Sequence, residues 1–234
     1  MCTLTWRDER NALEVFFNRD ELKTRTRAEP PRCHLSEKGT RYLSPIDPDA
    51  GGTWMLANGH GIVICLLNRW NEESTLHYQK SRGSVVTELA DCPTLVDLAQ
   101  ILPNNSQGAK PFDLIAFANG QVRGFSWKGK ELTAFEPRMP LTSSSYQFEE
   151  VKTAREQAFA HAKRLEDFQS SKHGSSSAYT VRMNRPDAQT WSRSHLTITA
   201  AEISWDYWEE FPDLAQEPTL HQTSLRLERG HSCP

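Results

Sequence analysis

The chain has 234 residues, of which 37% are hydrophobic and 24% charged, with a formal net charge of −3. This is an ordinary globular composition, and the slight negative charge argues against a general binder of nucleic acid or of anionic membranes. The longest apolar run, residues 61–67, has strand length and falls far short of the about 18–20 residues of a membrane span.

The N-terminus carries no basic region followed by an apolar stretch, so no secretory signal is read and the expected location is the cytoplasm. The five cysteines, at 2, 33, 65, 92 and 233, are odd in number and form no CxxC pair. Neither a disulfide framework nor a zinc ribbon follows, and the eight histidines show no metal-ligand spacing, so no metal is expected. The basic residues Lys23, Arg25, Arg27 and Arg32 are interrupted by Glu21 and Glu29 and read as a solvated loop.

In chain order, Cys2, Leu4 and Trp6 alternate with Thr3, Thr5 and Arg7, the period of a half-buried strand. A polar turn at Arg7–Asn11 leads to a second strand over Leu13–Phe17, with Asn18-Arg19-Asp20-Glu21 at its end. Residues 22–50 are rich in Pro, Arg and Ser and read mainly as loop. Thr53–Ala57 and Ile62–Asn68 read as a hairpin turning at Asn58-Gly59, since Asn-Gly suits a two-residue turn. Pro93–Leu102 reads as a helix with Asp91 as N-cap. Asp113–Ala118, Gln121–Trp127 and Leu132–Phe135 form a meander. Phe148–Phe168 is the best helix, with Val151, Ala154, Ala158, Phe159, Ala162 and Leu165 at helical spacing. Residues 169–177 read as a flexible loop, and 229–234 as a tail. Ala178–Met183, His195–Ala201, Ile203–Trp208 and Leu220–Leu227 read as strands, with Trp205, Tyr207, Trp208 and Phe211 as sheet packing. Consecutive hairpins with helices between them predict a single α+β domain of antiparallel sheets covered by helices.

Cys2 is the residue with the most chemistry. A cysteine after the initiator is small enough for Met1 to be removed, which would place an α-amine and a thiol on one residue. The amine, with a reference pKa of about 7.7–8.0 against about 8.5 for the thiol, can then act as base for its own side chain. Asp20 is expected to hold that amine, and Arg19 to favour the thiolate. Gly51-Gly52-Thr53-Trp54 allows a ligand to approach the backbone at Gly52.

The ordered set of Met1-Cys2, Asn18-Arg19-Asp20-Glu21, Ala50-Gly51-Gly52-Thr53-Trp54, Asn58-x-x-Gly61, Asn68, Ser81-Arg82-Gly83 and Leu141-Thr142-Ser143-Ser144-Ser145 resembles the NRDE family. This is the family of the transport-and-Golgi-organisation protein two, and the similarity runs over about residues 1–200. The resemblance implies a four-layer αββα sandwich of the N-terminal-nucleophile (Ntn) hydrolase type, as in choloylglycine hydrolases such as penicillin V acylases and bile-salt amidases. Carried over, it makes Cys2 the nucleophile, Arg19 and Asp20 its tuning pair, Asn68 an oxyanion donor and Arg193 a late arginine of the site. It places Asn18, Gly52, Thr53, Trp54, Ser143 and Ser144 around the substrate. Where those hydrolases have a second Asn, this chain has Thr142-Ser143-Ser144-Ser145, and losing one oxyanion donor costs about 100- to 1000-fold in rate.

Two functions follow as expectations. The first is a cysteine amidohydrolase acting on a linear, non-peptide C–N bond, with no cofactor. The second, also implied by the resemblance, is a non-catalytic protein that moves haem or lipid and acyl-CoA compounds. Cys92-Pro93 and Cys233-Pro234 are a dipeptide type found at exposed haem contacts, though loop pairs of this kind also arise by chance.

Overall fold

A computed structural model describes residues 1–9, 12–70, 78–172, 177–211 and 216–228. The strands are β1 (Cys2–Glu9), β2 (Ala12–Leu22), β3 (Glu29–Leu35), β4 (Arg41–Ile46), β5 (Met55–Asn58), β6 (Val63–Asn68), β7 (Phe112–Ala118), β8 (Gln121–Trp127), β9 (Leu132–Phe135), β10 (Leu141–Ser143), β11 (Ala188–Ile198), β12 (Glu202–Glu209) and β13 (Thr219–Arg226). The helices are α1 (Arg82–Glu88), α2 (Leu95–Asn105), α3 (Phe148–His161) and α4 (Leu165–Ser170).

The strands form two antiparallel sheets, a six-stranded one ordered β10-β1-β2-β11-β12-β13 and a seven-stranded one ordered β3-β4-β5-β6-β7-β8-β9. The sheets face each other across an apolar core. Leu4, Trp6, Val15, Phe17, Leu196 and Trp205 come from one side, and Met55, Val63, Cys65, Ile115 and Phe117 from the other. β1, β2, β5, β6 and β7 bury their opposite face as well, under the helices on the outer surfaces. The fold class is therefore α+β in four layers, αββα, as expected.

The two outer layers are held in different ways. α1 and α2 lie on the seven-stranded sheet through a second apolar cluster, with Val85, Val86, Leu89, Leu98 and Leu102 against Leu56, Ile64, Leu66 and Leu114. α3 and α4 lie on the six-stranded sheet over Thr3, Thr5, Asn18 and Asp20, all of them buried. Here Gln169 Nε2 donates to Thr5 Oγ1 at 2.8 Å, and Asn18 Nδ2 donates to the carbonyls of Gln169 and Val181 at 2.9 and 3.1 Å. Arg155 Nη1 donates to Thr3 Oγ1, and Arg155 Nη2 donates to Asp20 Oδ2 and the Thr180 carbonyl, both at 3.0 Å.

Several local expectations change. Residues 22–50 contain β3 and β4; Pro30 and Pro31 are tolerated because β3 is the edge of its sheet, where a missing N–H breaks no ladder. β2 ends just past Asn18–Glu21, at Leu22, as expected for that motif. The cap of α2 is Thr94, whose side chain accepts from Asp97 N, and not Asp91. The helix expected over Phe148–Phe168 breaks at Ala162–Arg164 into α3 and α4. Asn58 does not form a two-residue turn: its side chain accepts from His60 N and Ile62 N and donates to the carbonyls of Ala90 and Cys92, while Gly61 takes the positive φ of 84°. Ala178–Met183 is a series of turns, not a strand. The loop expected over 169–177 starts later, since Gln169 and Ser170 belong to α4. Residues 173–176 and the tail 229–234, with Cys233, lie outside the described residues.

Candidate functional site

β1 pairs antiparallel with β2 so that Cys2 faces Arg19 and Thr3 faces Asn18, and on its other edge Cys2 pairs with Ser143 of β10. Successive side chains on a strand point to opposite faces, so Asn18–Glu21 is divided between two layers. Arg19 shares the inner face with Cys2, while Asn18 and Asp20 bind the α3–α4 layer.

Cys2 is 7% exposed and borders a cavity of about 210 Å³ whose wall includes Arg19, Thr53, Trp54, Asn68, Arg82 and Gly83. Arg19 Nη2 donates to Asp47 Oδ2 at 3.1 Å, and its guanidinium lies 4.3 Å from the Trp54 ring centroid. Burial pushes the Cys2 thiol above its ordinary pKa; the N-terminal ammonium opposes the rise, Asp20 adds to it, and Arg19 opposes it. A second cavity of about 130 Å³ adjoins the first at Asn68 and is lined by Trp70, Thr142, Ser143, Ser144 and Phe148. The buried Oγ of Ser143 has no hydrogen-bond partner among the described residues. Asn68 closes β6, borders both cavities, and its side-chain amide makes no hydrogen bond among the described residues.

Met1 extends β1 by one residue. Its ammonium donates to the Asp20 carbonyl at 3.0 Å, and its carbonyl accepts from Asp20 N at 2.9 Å. Its side chain packs with Met183 and Ala188, and Ser144 Oγ donates to its sulfur at 2.6 Å.

Asn18, Asp20 and Arg193 do not lie as expected, Asn18 lining neither cavity. With Met1 in place, its ammonium is held by the backbone carbonyl of Asp20. Strand alternation turns the Asp20 carboxylate to the outer face, where it accepts from Arg155 and from Thr190 Oγ1, the latter at 2.6 Å. Arg193 is not among the residues lining the cavity. It pairs in register with Asn18, its Nε donates to Glu210 Oε1 at 2.5 Å, and its guanidinium lies over Trp208, so its charge is already spent on the outer face.

Gly52 and the first turn of α1 at Gly83 come into backbone contact beside Cys2. A Cβ on Gly52 would lie 2.5 Å from the Gly83 carbonyl carbon, and one on Gly83 would lie 2.9 Å from Thr53 N. Neither neighbour is the end of a flexible side chain. Gly52→Ala and Gly83→Ala are each expected to cost about 1–3 kcal/mol by overpacking, read in urea denaturation, and to change the rate of Cys2 alkylation. Full stability and an unchanged rate would show that the two segments separate freely.

Sequence reasoning passed over Arg82, Asp47 and Arg155. Arg82 enters only as part of Ser81-Arg82-Gly83, and Asp47 only within the loop read over residues 22–50. Arg155 carried no signal, because one arginine in a helix is ordinarily solvated.

A family model described as Transport and Golgi organisation 2 matches residues 1–200. The chain belongs to that family. The Transport and Golgi organisation 2 match takes in both cavities and every strand up to β11, and leaves β12 and β13 beyond it. No curated protein matches the chain. Among solved structures, the C2A mutant of the conjugated bile acid hydrolase from Clostridium perfringens is 10% identical, with a TM-score of 0.53 over 95% of this chain and 92% of that one. A second variant of the same hydrolase is 10% identical, with a TM-score of 0.54 over 100% of both chains. At this identity the likeness shows the fold alone: an Ntn-hydrolase-like sandwich shared with the choloylglycine hydrolases. Among the described residues no helix is long and apolar enough to cross a membrane.

Proposed function

We propose that this member of the Transport and Golgi organisation 2 family is an Ntn-type cysteine amidohydrolase of the cytoplasm, acting on a linear, non-peptide C–N bond once Met1 is removed. One observation carries the reading: Cys2, the residue that would become the N-terminus, borders a cavity and faces Arg19 across the β1–β2 pair. That the hydrolase with this fold was solved as a C2A mutant is in keeping with it.

In this mechanism the Cys2 sulfur adds to the substrate carbonyl while the α-amine takes the thiol proton. The Asn68 amide, free of other partners among the described residues, donates to the oxyanion. The C–N bond then breaks, the proton passes to the departing nitrogen, and a thioester remains on Cys2. Water, deprotonated by the same amine, releases the acid. Arg19 lowers the energy of the thiolate, and Asp20 is a positioning residue that anchors β2 to Arg155. Ser143 supplies a shorter donor than an amide, so turnover is slow.

The test combines intact mass, which reports whether Met1 is present, with amine release from a panel of N-acyl amides. The processed protein is expected to release amine, and Cys2→Ala to release about 1000-fold less or lower at an unchanged melting temperature. Equal release by the two proteins would sink the reading.

The pairing of Met1 with Asp20 favours a second reading. A chain that keeps Met1 has no free amine on Cys2, and its cavity would hold cargo without turnover, as a carrier of haem or of an acyl compound such as acyl-CoA. A Soret shift on adding haem, unaffected by Cys2→Ala, supports that reading; no shift, together with no acyl-chain binding, removes it.

A further inference from the structure

We propose that the cavity beside Cys2 selects its ligand by a negative charge, bound by Arg82, with the rest of the ligand passing Asn68 toward Trp70 and Phe148. The substrate class is an anionic acyl compound, and the proposal deepens the cysteine-hydrolase reading while resting on it only for the role of the acyl group.

The argument starts from charge. Arg19, Arg25, Lys80, Arg82 and Lys110 line the cavity, against Asp20, Glu21 and Asp47. Most of these charges are already matched. Asp47 binds Arg19 and Arg25, Lys80 binds Glu88, and the Asp20 carboxylate is turned away to Arg155. Arg82 and Lys110 have no ion-pair partner among the described residues. Arg82 is half-buried, and burial pulls its pKa below the ordinary value, with Cys2 and Glu21 opposing. Its only hydrogen bond to a described residue is from Nη1 to the Pro111 carbonyl at 3.2 Å. The remaining guanidinium N–H groups form the planar fork that takes carboxylate or phosphate in two parallel bonds. A desolvated, uncompensated cation is costly, so an anion that neutralises it gains more there than at the surface.

Two further features agree. The indole N–H of Trp54, a donor with no accepting capacity, is buried with no partner among the described residues. Past Asn68 the second cavity sets the exposed rings of Trp70 and Phe148, 51% and 42% exposed, beside the polar side chains of Arg69, Asp113, Thr142, Ser143 and Ser144, and the guanidinium of Arg82 lies 5.5 Å from the Trp70 ring centroid. One end of the site thus suits an anion and the other a short acyl chain lying against the two rings. At about 210 Å³ the charged end is smaller than the roughly 300–1,000 Å³ of sites that enclose a drug-sized ligand, so it holds a compact head group.

Iodoacetate and iodoacetamide test this, because they alkylate a thiol by the same displacement of iodide and differ only in charge. Rates at Cys2 are measured by peptide mass and divided by those at Cys33, which is exposed and outside the cavity. Iodoacetate is expected to favour Cys2 about tenfold more than iodoacetamide does, the worth of one charge-assisted hydrogen bond. Arg82→Gln should erase that preference, read as the ratio of the two Cys2 rates so that any change in thiolate population cancels, and Arg82→Lys should keep part of it. No preference in the parent protein, or a preference that survives Arg82→Gln, overturns the proposal. Calorimetric titration with succinate and with pyrophosphate separates carboxylate from phosphate, and Arg82→Gln should weaken the tighter of the two about tenfold. If neither reagent labels Cys2, the nucleophile reading fails, and the titrations alone decide the anion site: no binding of either anion overturns it.

Discussion

Arg155→Met is expected to lose about 3–5 kcal/mol of stability, because it leaves the Asp20 carboxylate in the interior without its cation. The side chains of both residues are 0% exposed, and their atoms meet at 3.0 Å. For a chain of this size each kcal/mol corresponds to about 2–4 °C, so the melting temperature should fall by roughly 6–20 °C. The loss is not that of one surface ion pair, since Arg155 also joins β1 through Thr3 and the 178–183 turns through the Thr180 carbonyl. Removing both charges in Asp20→Leu/Arg155→Met should be milder than the single change, since no buried charge then stands alone. A cost under about 1 kcal/mol for Arg155→Met, in the range of an ordinary surface change, would refute the network's role.

Blocking removal of Met1 with an aminopeptidase inhibitor during expression should lower amide hydrolysis by about 100- to 10,000-fold, the usual contribution of a positioned general base. In that form the α-amine sits on residue 1, committed to the Asp20 carbonyl, and cannot take the thiol proton. The pH dependence of alkylation should move as well. With Met1 in place the thiol is held above its ordinary value by burial, so the Cys2 rate should still be climbing at pH values where an exposed thiol has levelled off. Processing moves the ammonium onto Cys2 itself. Positive charge nearer the sulfur favours the thiolate, so the midpoint should fall. Separating the two forms by mass and measuring rate against pH checks the sign. Identical profiles and identical turnover would remove the amine from the mechanism.

The sequence carries the sheet pattern well wherever one strand turns directly into the next. β1 and β2, the β7–β9 meander and the β12 hairpin partner all follow from alternation and turn chemistry. Between β7 and β8, Asn119 and Gly120 take the positive φ, 49° and 70°, that a tight turn needs. Recognition fails where a segment's polar groups are met from far away in the chain. Residues 178–183 look like a strand, yet the Thr180 and Val181 carbonyls are taken by Arg155 and Asn18 and no strand pairing forms. Of the apolar stripe over α3 only Val151 is buried, and the other buried residue is Arg155. β3 was hidden by its prolines and charges, which only an edge position accommodates. The same division holds at the site. Cys2, Arg19, Asn68 and the Gly52–Trp54 turn are read from local motifs. The outward turn of Asp20 and the withdrawal of Arg193 to Glu210 depend on partners 17 to 135 residues apart, and the charge on Arg82 on having no ion-pair partner among the described residues.

The unlike fastening of the two outer layers gives the thiol two unlike neighbours in motion. Hydrophobic attachment slackens on cooling, whereas a hydrogen-bonded seam yields first to solutes such as urea that compete for peptide groups. Chilling would therefore loosen the wall that carries Arg82, and dilute urea the wall that carries Ser143 and Phe148. The charged and apolar ends of one ligand would then be gripped by flanks that breathe under different conditions.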